Sequence, residues 1–238
     1  MPEAIYDSFV TDGCGENAMT PLHSVEIEPA RTVLVTGFGP FPGAPFNPTP
    51  AVVEALVRLR RPGLATVKRI GHVFRTSYAA VEAELPALIE KHRPQVVLMF
   101  GLAARTPHIR IETSARNARS ALFPDASGAR PGRRGIEPGG PSRRRGRAPF
   151  TPLVVMLRRL GLQTAPSRDA GRYLCNFAYW QGLAGGTPLV LFVHVPKIAA
   201  VRRPASGRKA GKHRPLTHND LVRAGEAVLR MLVAASRR

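Results

Sequence analysis

Short apolar runs that alternate with amphipathic helical segments constrain the fold of this 238-residue chain more than any other feature. Residues 32–36, 65–70 and 95–100 are predicted strands, and helical segments after Pro48 and over residues 77–91 separate them. Strands joined by helices in this way form parallel sheets that are covered on both faces. The alternation therefore predicts an α/β fold, a single α/β/α three-layer domain with a central, largely parallel twisted sheet.

The second half of the chain continues this pattern less regularly. Residues 108–117 alternate as a short strand would, residues 188–193 form a continuous apolar strand, and helical periodicity marks residues 149–160 and 219–235. The sequence shows no internal repeat and no linker between domains. We therefore expect residues 31–238 to form one domain.

Two segments fall outside the pattern of strands and helices. Residues 1–30 have acidic residues but neither a basic start nor an apolar stretch, so we expect a poorly ordered leader that is not a secretory signal. Residues from about 119 to 148 are rich in Arg, Gly and Pro and are predicted to form a long loop, such as a lid or binding loop. The sequence has no run of about 18 apolar residues, so no membrane span is expected, and the cytoplasm is the expected location.

The formal charge of +19 is large enough to attract polyanions whatever the main task of the protein. Two clusters of basic residues, within residues 130–147 and 202–214, carry much of this charge. Neither cluster has interleaved aromatic residues for base stacking, and neither matches a known nucleic-acid-binding module. We therefore interpret both as solvated, mobile loops and do not expect nucleic acid as a dedicated partner.

A glycine-rich loop, residues 37–43, ends the first predicted strand. Loops at the carboxyl ends of strands often build the sites of α/β proteins. This loop contains Phe38 and Phe41 but neither a GxGxxG pattern nor a Walker lysine, which argues against a nucleotide phosphate and favours an apolar pocket wall. Residues 47–49 are predicted to cap the helix that follows.

The decapeptide of residues 167–176 places Cys175 at the predicted start of a helix. A helix N-terminus favours the thiolate form of a cysteine, so Cys175 is a candidate nucleophile, although a lone cysteine in such a helix can simply be part of the core. The other cysteine, Cys14, lies in the leader. We expect both to be free thiols, because an intracellular chain rarely keeps a disulfide.

A cysteine nucleophile needs a base and a group that orients the base. His194 follows the apolar strand directly and lies 19 residues after Cys175, so the strand end could return near the helix start. Taken alone, His194 could equally be a core or edge histidine. Glu112 lies in the alternating stretch and, taken alone, resembles an ordinary surface carboxylate.

Four motifs in this order resemble the pyroglutamyl peptidase I (pyrrolidone-carboxylate peptidase) family of cysteine peptidases. They are Gly37-Phe38-Gly39-Pro40-Phe41 with Asn47-Pro48, then Gly101, Ala104, Ile109, Glu112, Ala115 and Asn117, then Ser167, Asp169-Ala170-Gly171 and Tyr173-Leu174-Cys175-Asn176, and finally His194-Val195-Pro196. The resemblance runs from about residue 32 to residue 195, which is most of the chain.

The resemblance implies a catalytic triad of Cys175, His194 and Glu112 that needs no metal or cofactor. His194 would take the thiol proton and later give it to the leaving amine, while Glu112 would hold the imidazole tautomer. Backbone N–H groups around Cys175 would stabilise the oxyanion. The implied activity is release of N-terminal pyroglutamate from peptides through a thiol acyl-enzyme.

The resemblance also implies a pocket in which aromatic residues of the first loop stack on the small lactam ring. Phe38 and Phe41 occupy those positions, with the alternative that they only seal the core, and Asn47 is the third candidate for substrate binding. The expected partner is a peptide with a blocked N-terminus. A homo-oligomer is also expected, a tetramer by family resemblance.

The chain departs from the family pattern around this pocket. Leu102 stands where the family usually has Gln, Leu122 aligns with an arginine thought to aid the oxyanion, and Arg145 and Arg147 replace a loop that supplies an aromatic residue and a threonine. The departures leave two alternatives. One is a related cysteine hydrolase that accepts another N-terminal acyl group, and the other is a polyanion-binding protein on a decayed enzyme scaffold.

Overall fold

The computed structural model describes residues 31–41, 44–198 and 215–237. The leader, with Cys14, and the second basic cluster lie outside the described residues. The expected boundary between leader and domain therefore stays a prediction. Among the described helices, none combines the length and the apolarity that crossing a bilayer requires.

The described residues form eight strands and five α-helices. The strands are β1 (Thr32–Phe38), β2 (Lys68–Phe74), β3 (Val96–Leu102), β4 (Ile109–Glu112), β5 (Ser114–Arg116), β6 (Arg143–Arg145), β7 (Thr164–Ser167) and β8 (Leu189–Val195). The helices are α1 (Thr49–Arg58), α2 (Tyr78–His92), α3 (Phe150–Arg159), α4 (Leu174–Ala184) and α5 (His218–Ala235).

The main sheet has six strands in the order β2-β1-β3-β8-β4-β7. The first four run parallel to one another. β4 runs antiparallel to β8, and β7 runs parallel to β4. The predicted largely parallel sheet is confirmed, and its reversed edge is what the sequence pattern did not reveal.

Helices cover both faces of this sheet. Successive strand residues point to opposite sides, so both faces have apolar side chains to bury. On β1, Val33 and Val35 face a core built with α1, α3 and α5, whereas Leu34 faces a second core built with α2 and α4. All three side chains are fully buried. The three-layer arrangement predicted from the sequence is therefore confirmed.

The helix starts differ in how they are fixed. Ser77 caps α2 by accepting a hydrogen bond from the N–H of Ala80, at 3.2 Å. The N-cap residue of α1 is Pro48, which has no side-chain cap, and of the predicted capping residues Asn47 accepts a hydrogen bond from the N–H of Thr49. The Thr49 hydroxyl accepts from the N–H of Phe38 and donates to its carbonyl, both at 3.0 Å, so that the start of α1 is tied to the end of β1.

The long loop predicted for residues 119–148 is partly wrong. Its last part forms β6, which pairs antiparallel with β5 in a separate two-stranded ribbon. Asn117 holds the middle of the segment: its side-chain oxygen accepts from the N–H groups of Ile136 and Glu137, each at 2.8 Å. This part of the segment is therefore held against the domain and is not a freely solvated loop.

Candidate active site

Cys175 lies in the first turn of α4, which begins at Leu174. The turn before it uses Gly171 at φ 86°, a left-handed conformation that suits glycine. The Asp169 side chain supports this turn by accepting a hydrogen bond from the N–H of Gly171 at 3.1 Å. Because N–H groups in a first turn have no intrahelical partner, the positive end of α4 surrounds the thiol.

The Cys175 sulfur lies directly over Gly101 of β3. A Cβ atom at this position would lie 2.8 Å from Sγ of Cys175 and 2.7 Å from Cζ of Phe192, which is too close for any side chain. Gly101 pairs in register with His194 on β8. Strand pairing and the missing side chain thus bring the thiol beside the histidine.

Glu112 and His194 form a buried pair. Nδ1 of His194 lies 2.8 Å from Oε1 of Glu112, and the exposed fractions of the two side chains are 7% and 0%. The contact depends on the reversed direction of β4, which sets Arg110 opposite His194 and Glu112 opposite Phe192. Because Nδ1 faces the carboxylate, the second ring nitrogen is left for the thiol of Cys175.

The surroundings favour the charged form of both members of this pair. Burial alone would lower the pKa of His194, but the charge of Cys175 and its hydrogen bond, together with Glu112, outweigh burial and raise it to about 9. Burial alone would raise the pKa of Glu112, but His194, aided by Ser167 and Arg110, lowers it below its usual value. Nη2 of Arg110 lies 2.9 Å from Oε1 of Glu112.

The three predicted substrate-binding residues take different places. The Phe41 ring lies 6.4 Å from the ring of Tyr173, two residues before the thiol. Phe38 is 3% exposed and packs on Phe74 at 5.8 Å, as a core residue does. The Asn47 amide bonds within its own loop, donating to the Gly39 carbonyl at 3.2 Å and accepting from the N–H of Thr49 at 3.1 Å.

Two tyrosines lie next to this turn: Tyr173 of the third motif, and Tyr78, which the sequence did not single out. Tyr78, the first residue of α2, packs edge-on against Tyr173 at 5.9 Å and against Phe177 at 5.3 Å. Its hydroxyl is buried and has no hydrogen-bond partner among the described residues. Burial, with the charges of Tyr173, Asp125 and Cys175, raises the pKa of Tyr78, so the hydroxyl keeps its proton. The sequence predicted a helix over residues 77–91, but no sequence signal paired Tyr78 with α4.

Asn176, the residue after Cys175, connects the start of α4 to β5 and the segment that follows it. This fully buried side chain accepts from the N–H of Arg116 at 2.8 Å and donates to the carbonyls of Arg116 and Ala118 at 2.8 and 2.9 Å. The Tyr173 hydroxyl adds a bond to the Pro124 carbonyl at 2.8 Å. Both residues belong to the decapeptide, so one short stretch carries the thiol and positions its surroundings.

The positions that depart from the family pattern differ in how far they are exposed. Leu102 is half-buried at the end of β3, and Leu122 is 76% exposed. Arg145 and Arg147 are exposed. The Arg119 guanidinium lies 5.8 Å from the centre of the Phe177 ring and lowers the pKa of Tyr78 against the larger effect of burial.

Comparison with known proteins gives a consistent result. The sequence profile described as pyroglutamyl peptidase matches residues 31–212. The pyrrolidone-carboxylate peptidase of Gloeobacter violaceus is 35% identical over 179 residues, which are 72% of this chain and 85% of that protein. The corresponding Thermococcus kodakarensis protein is 33% identical over 169 residues, 69% of this chain and 80% of its own.

The fold matches solved structures of the same kind. The pyrrolidone carboxyl peptidase from Thermococcus litoralis superposes with a TM-score of 0.74 and 26% sequence identity. The match covers 86% of this chain and 94% of that one.

Proposed function

The chain belongs to the pyroglutamyl peptidase family, and from that premise we propose that Cys175, His194 and Glu112 are its nucleophile, its general base and the carboxylate that orients the base. Membership makes the chain a cysteine peptidase that releases N-terminal pyroglutamate from peptides. The observation that carries the assignment of residues is the buried Glu112–His194 contact of 2.8 Å beside the thiol.

The reaction begins as the proton of the Cys175 thiol moves to the free ring nitrogen of neutral His194, a transfer that the raised pKa of His194 favours. The thiolate then attacks the carbonyl carbon of the pyroglutamyl residue, and first-turn N–H groups of α4 hold the oxyanion. When the C–N bond breaks, the His194 cation gives its proton to the departing amine of the peptide. A thioester between Cys175 and the pyroglutamyl group remains.

The second half of the reaction repeats these roles with water. His194 takes a proton from a water molecule, whose oxygen attacks the thioester carbonyl. Collapse of the second oxyanion breaks the C–S bond, and the proton held by His194 returns to the sulfur. Glu112 keeps its charge throughout and stabilises the imidazolium that forms twice in the cycle.

We propose that the lactam ring binds among the aromatic residues beside Cys175. Pyroglutamate has no charged amine, so its site should be apolar with a few hydrogen-bond partners. Phe41 and Tyr173 supply ring surface at the turn, and Tyr78 adds a third aromatic ring with an unpaired hydroxyl. Phe38 and Asn47 would then act by holding the first loop in position.

For assembly we propose a homo-oligomer, with the tetramer that the family resemblance implies. Phe46, Leu122 and Phe123 are 89%, 76% and 63% exposed, and large apolar side chains of this kind favour burial against a second copy. Light scattering at micromolar protein concentration tests this directly. A cytoplasmic location is likewise our proposal, because a free catalytic thiol works best in a reducing compartment.

The activity is tested with a fluorogenic pyroglutamyl amide and the prolyl amide, which lacks the ring carbonyl and therefore has a protonated ring amine. We expect turnover of the first substrate with at least a tenfold preference over the second, because a missing hydrogen-bond acceptor leaves site donors unpaired. Iodoacetamide should abolish turnover, and peptide mapping should find the adduct on Cys175. Equal turnover of both amides, or turnover that survives alkylation of Cys175, would contradict the proposal.

A further inference from the structure

A second cleft lies between the β5–β6 ribbon and α3, and the triad residues do not line it. Its volume is about 1110 Å³. Four exposed arginines line its walls, and no Asp or Glu is among its lining residues. The arginines are Arg143, Arg145, Arg158 and Arg168.

Strand pairing explains why two of these arginines share one face. Arg145 pairs with Ser114, and Arg143 pairs with Arg116, in the antiparallel ribbon. Residues two apart on a strand point to the same side, about 7 Å from each other. Arg144, between them, points the other way, lies over the Trp180 ring at 4.4 Å and pairs with Glu137 at 2.5 Å.

Some arginines elsewhere on this protein pair with carboxylates, whereas in the cleft Arg158 donates a hydrogen bond from Nε to the Thr164 carbonyl at 2.8 Å. Arg58 pairs with Glu54 at 2.9 Å, and Arg61 pairs with Glu226 at 2.8 Å. By contrast, no carboxylate of the described residues lies within ion-pair distance of the four cleft arginines. Like charges around a concave surface concentrate a positive potential inside it.

The start of α3 adds to this potential. The helix has ten residues, begins at Phe150 without a side-chain cap, and has no acidic residue in its first turn. Its Thr151 lines the cleft and brings a hydroxyl. Phe150, Val155 and Pro166 also line the cleft, so an apolar surface lies beside the basic one.

We propose that this cleft binds a triphosphate group, free or attached to a nucleoside. Planar guanidinium groups bind phosphate oxygens in pairs, and several of them suit a ligand with several negative charges better than a single carboxylate. The exposed apolar surface offers a place for a flat base. Cys175, His194 and Glu112 are not among the residues that line this cleft.

The test uses the full chain and two double variants that each remove two arginine charges. Arg143→Gln with Arg145→Gln changes the cleft, and Arg105→Gln with Arg237→Gln, at two exposed arginines outside the cleft, is the matched control. Calorimetry measures binding of inorganic tripolyphosphate and of ATP at two salt concentrations. Circular dichroism and thermal melting without ligand check that each variant is folded.

We expect the cleft variant to weaken binding of both probes at least tenfold and the control variant to change it less than twofold. The salt dependence of binding should also become shallower by about one unit of slope for each phosphate-contacting arginine removed. Tighter binding of ATP than of tripolyphosphate would show that the base contributes, and equal binding would show that the phosphates suffice.

A second readout does not depend on affinity alone. ATP should raise the Tm of the wild-type chain and of the control variant but not of the cleft variant, because only ligands bound to the folded state stabilise it. Equal loss of binding in both double variants would reduce the effect to net charge and overturn the proposal. So would the absence of any binding by the wild-type chain.

Discussion

Two regions of the molecule are held in place by different means. One is the buried contact between Glu112 on β4 and His194 on β8, and the other is the surface segment from Asn117 to Ala148. At the buried contact, the register of β3, β8 and β4 fixes the side chains, and Gly101 leaves room for the sulfur. In the surface segment, asparagine side chains hold irregular backbone. The chemistry therefore depends on strand pairing, whereas the surroundings of the substrate can change without disturbing it.

The largest difference between the two regions should come from removing one carboxylate charge in each. Glu112→Gln should lower kcat about 10³-fold, because the imidazolium loses its buried counter-charge and its tautomer is no longer fixed. Glu137→Gln in the surface segment removes only the partner of Arg144 and should change kcat less than about threefold. Similar losses in both variants would contradict the distinction.

Adding a methyl group to a glycine gives the next contrast. Gly101→Ala places a Cβ 2.8 Å from the Cys175 sulfur, so we expect activity to fall about 10²-fold, since small misplacements of a reacting group have effects of this size. Gly132→Ala meets nothing within 4 Å and should keep full activity. The measurement is kcat/KM for a pyroglutamyl amide, with Tm recorded for both. An active Gly101→Ala enzyme would show that the sulfur is not held there.

Releasing the surface segment should affect binding more than chemistry. Asn117→Ala removes the side chain that accepts from Ile136 and Glu137, and we expect KM to rise about tenfold with kcat within about threefold, as loss of uniform binding does. Steady-state kinetics with the same substrate measure both constants. A fall in kcat larger than the rise in KM would mean that the segment takes part in the chemical step.

The pH dependence of activity should also distinguish the two regions, with a smaller effect. The His194 cation must protonate the leaving amine, so activity should fall as the pH rises through its pKa of about 9. Glu112 is one of the causes that raise this pKa, so the alkaline limb of Glu112→Gln should lie at lower pH than that of the wild type. Glu137→Gln should leave the limb in place. A wild-type limb that does not move in Glu112→Gln would contradict the pairing.

Much of this architecture could be predicted from the sequence, and the exceptions have physical reasons. Apolar runs such as residues 95–100 predict buried strands, because a strand that is covered on both faces has apolar side chains at nearly every position. The reversed direction of β4 leaves no local trace, since its pairing with β8 is a tertiary choice. β7 has four residues, one of them Pro166, and is too short to show a periodicity.

The candidate site divides in the same way. Motifs pointed to Cys175, His194 and Glu112, because a thiol nucleophile requires a base and an orienting group. Neither the position of Tyr78 beside Cys175 nor the placement of Arg143 and Arg145 on the same face of a strand could be predicted. Three consecutive arginines show no alternation of apolar and polar residues, and the position of Tyr78 depends on how α2 packs against α4.

The central claim is that Cys175 is the nucleophile of a pyroglutamyl peptidase, and the two cysteines of the chain allow a matched test. The measurement is kcat/KM for a pyroglutamyl amide with the wild type, Cys175→Ala and Cys14→Ala. We predict a loss of at least about 10⁴-fold for Cys175→Ala and less than twofold for Cys14→Ala. Turnover by Cys175→Ala at a rate near that of the wild type would contradict the account.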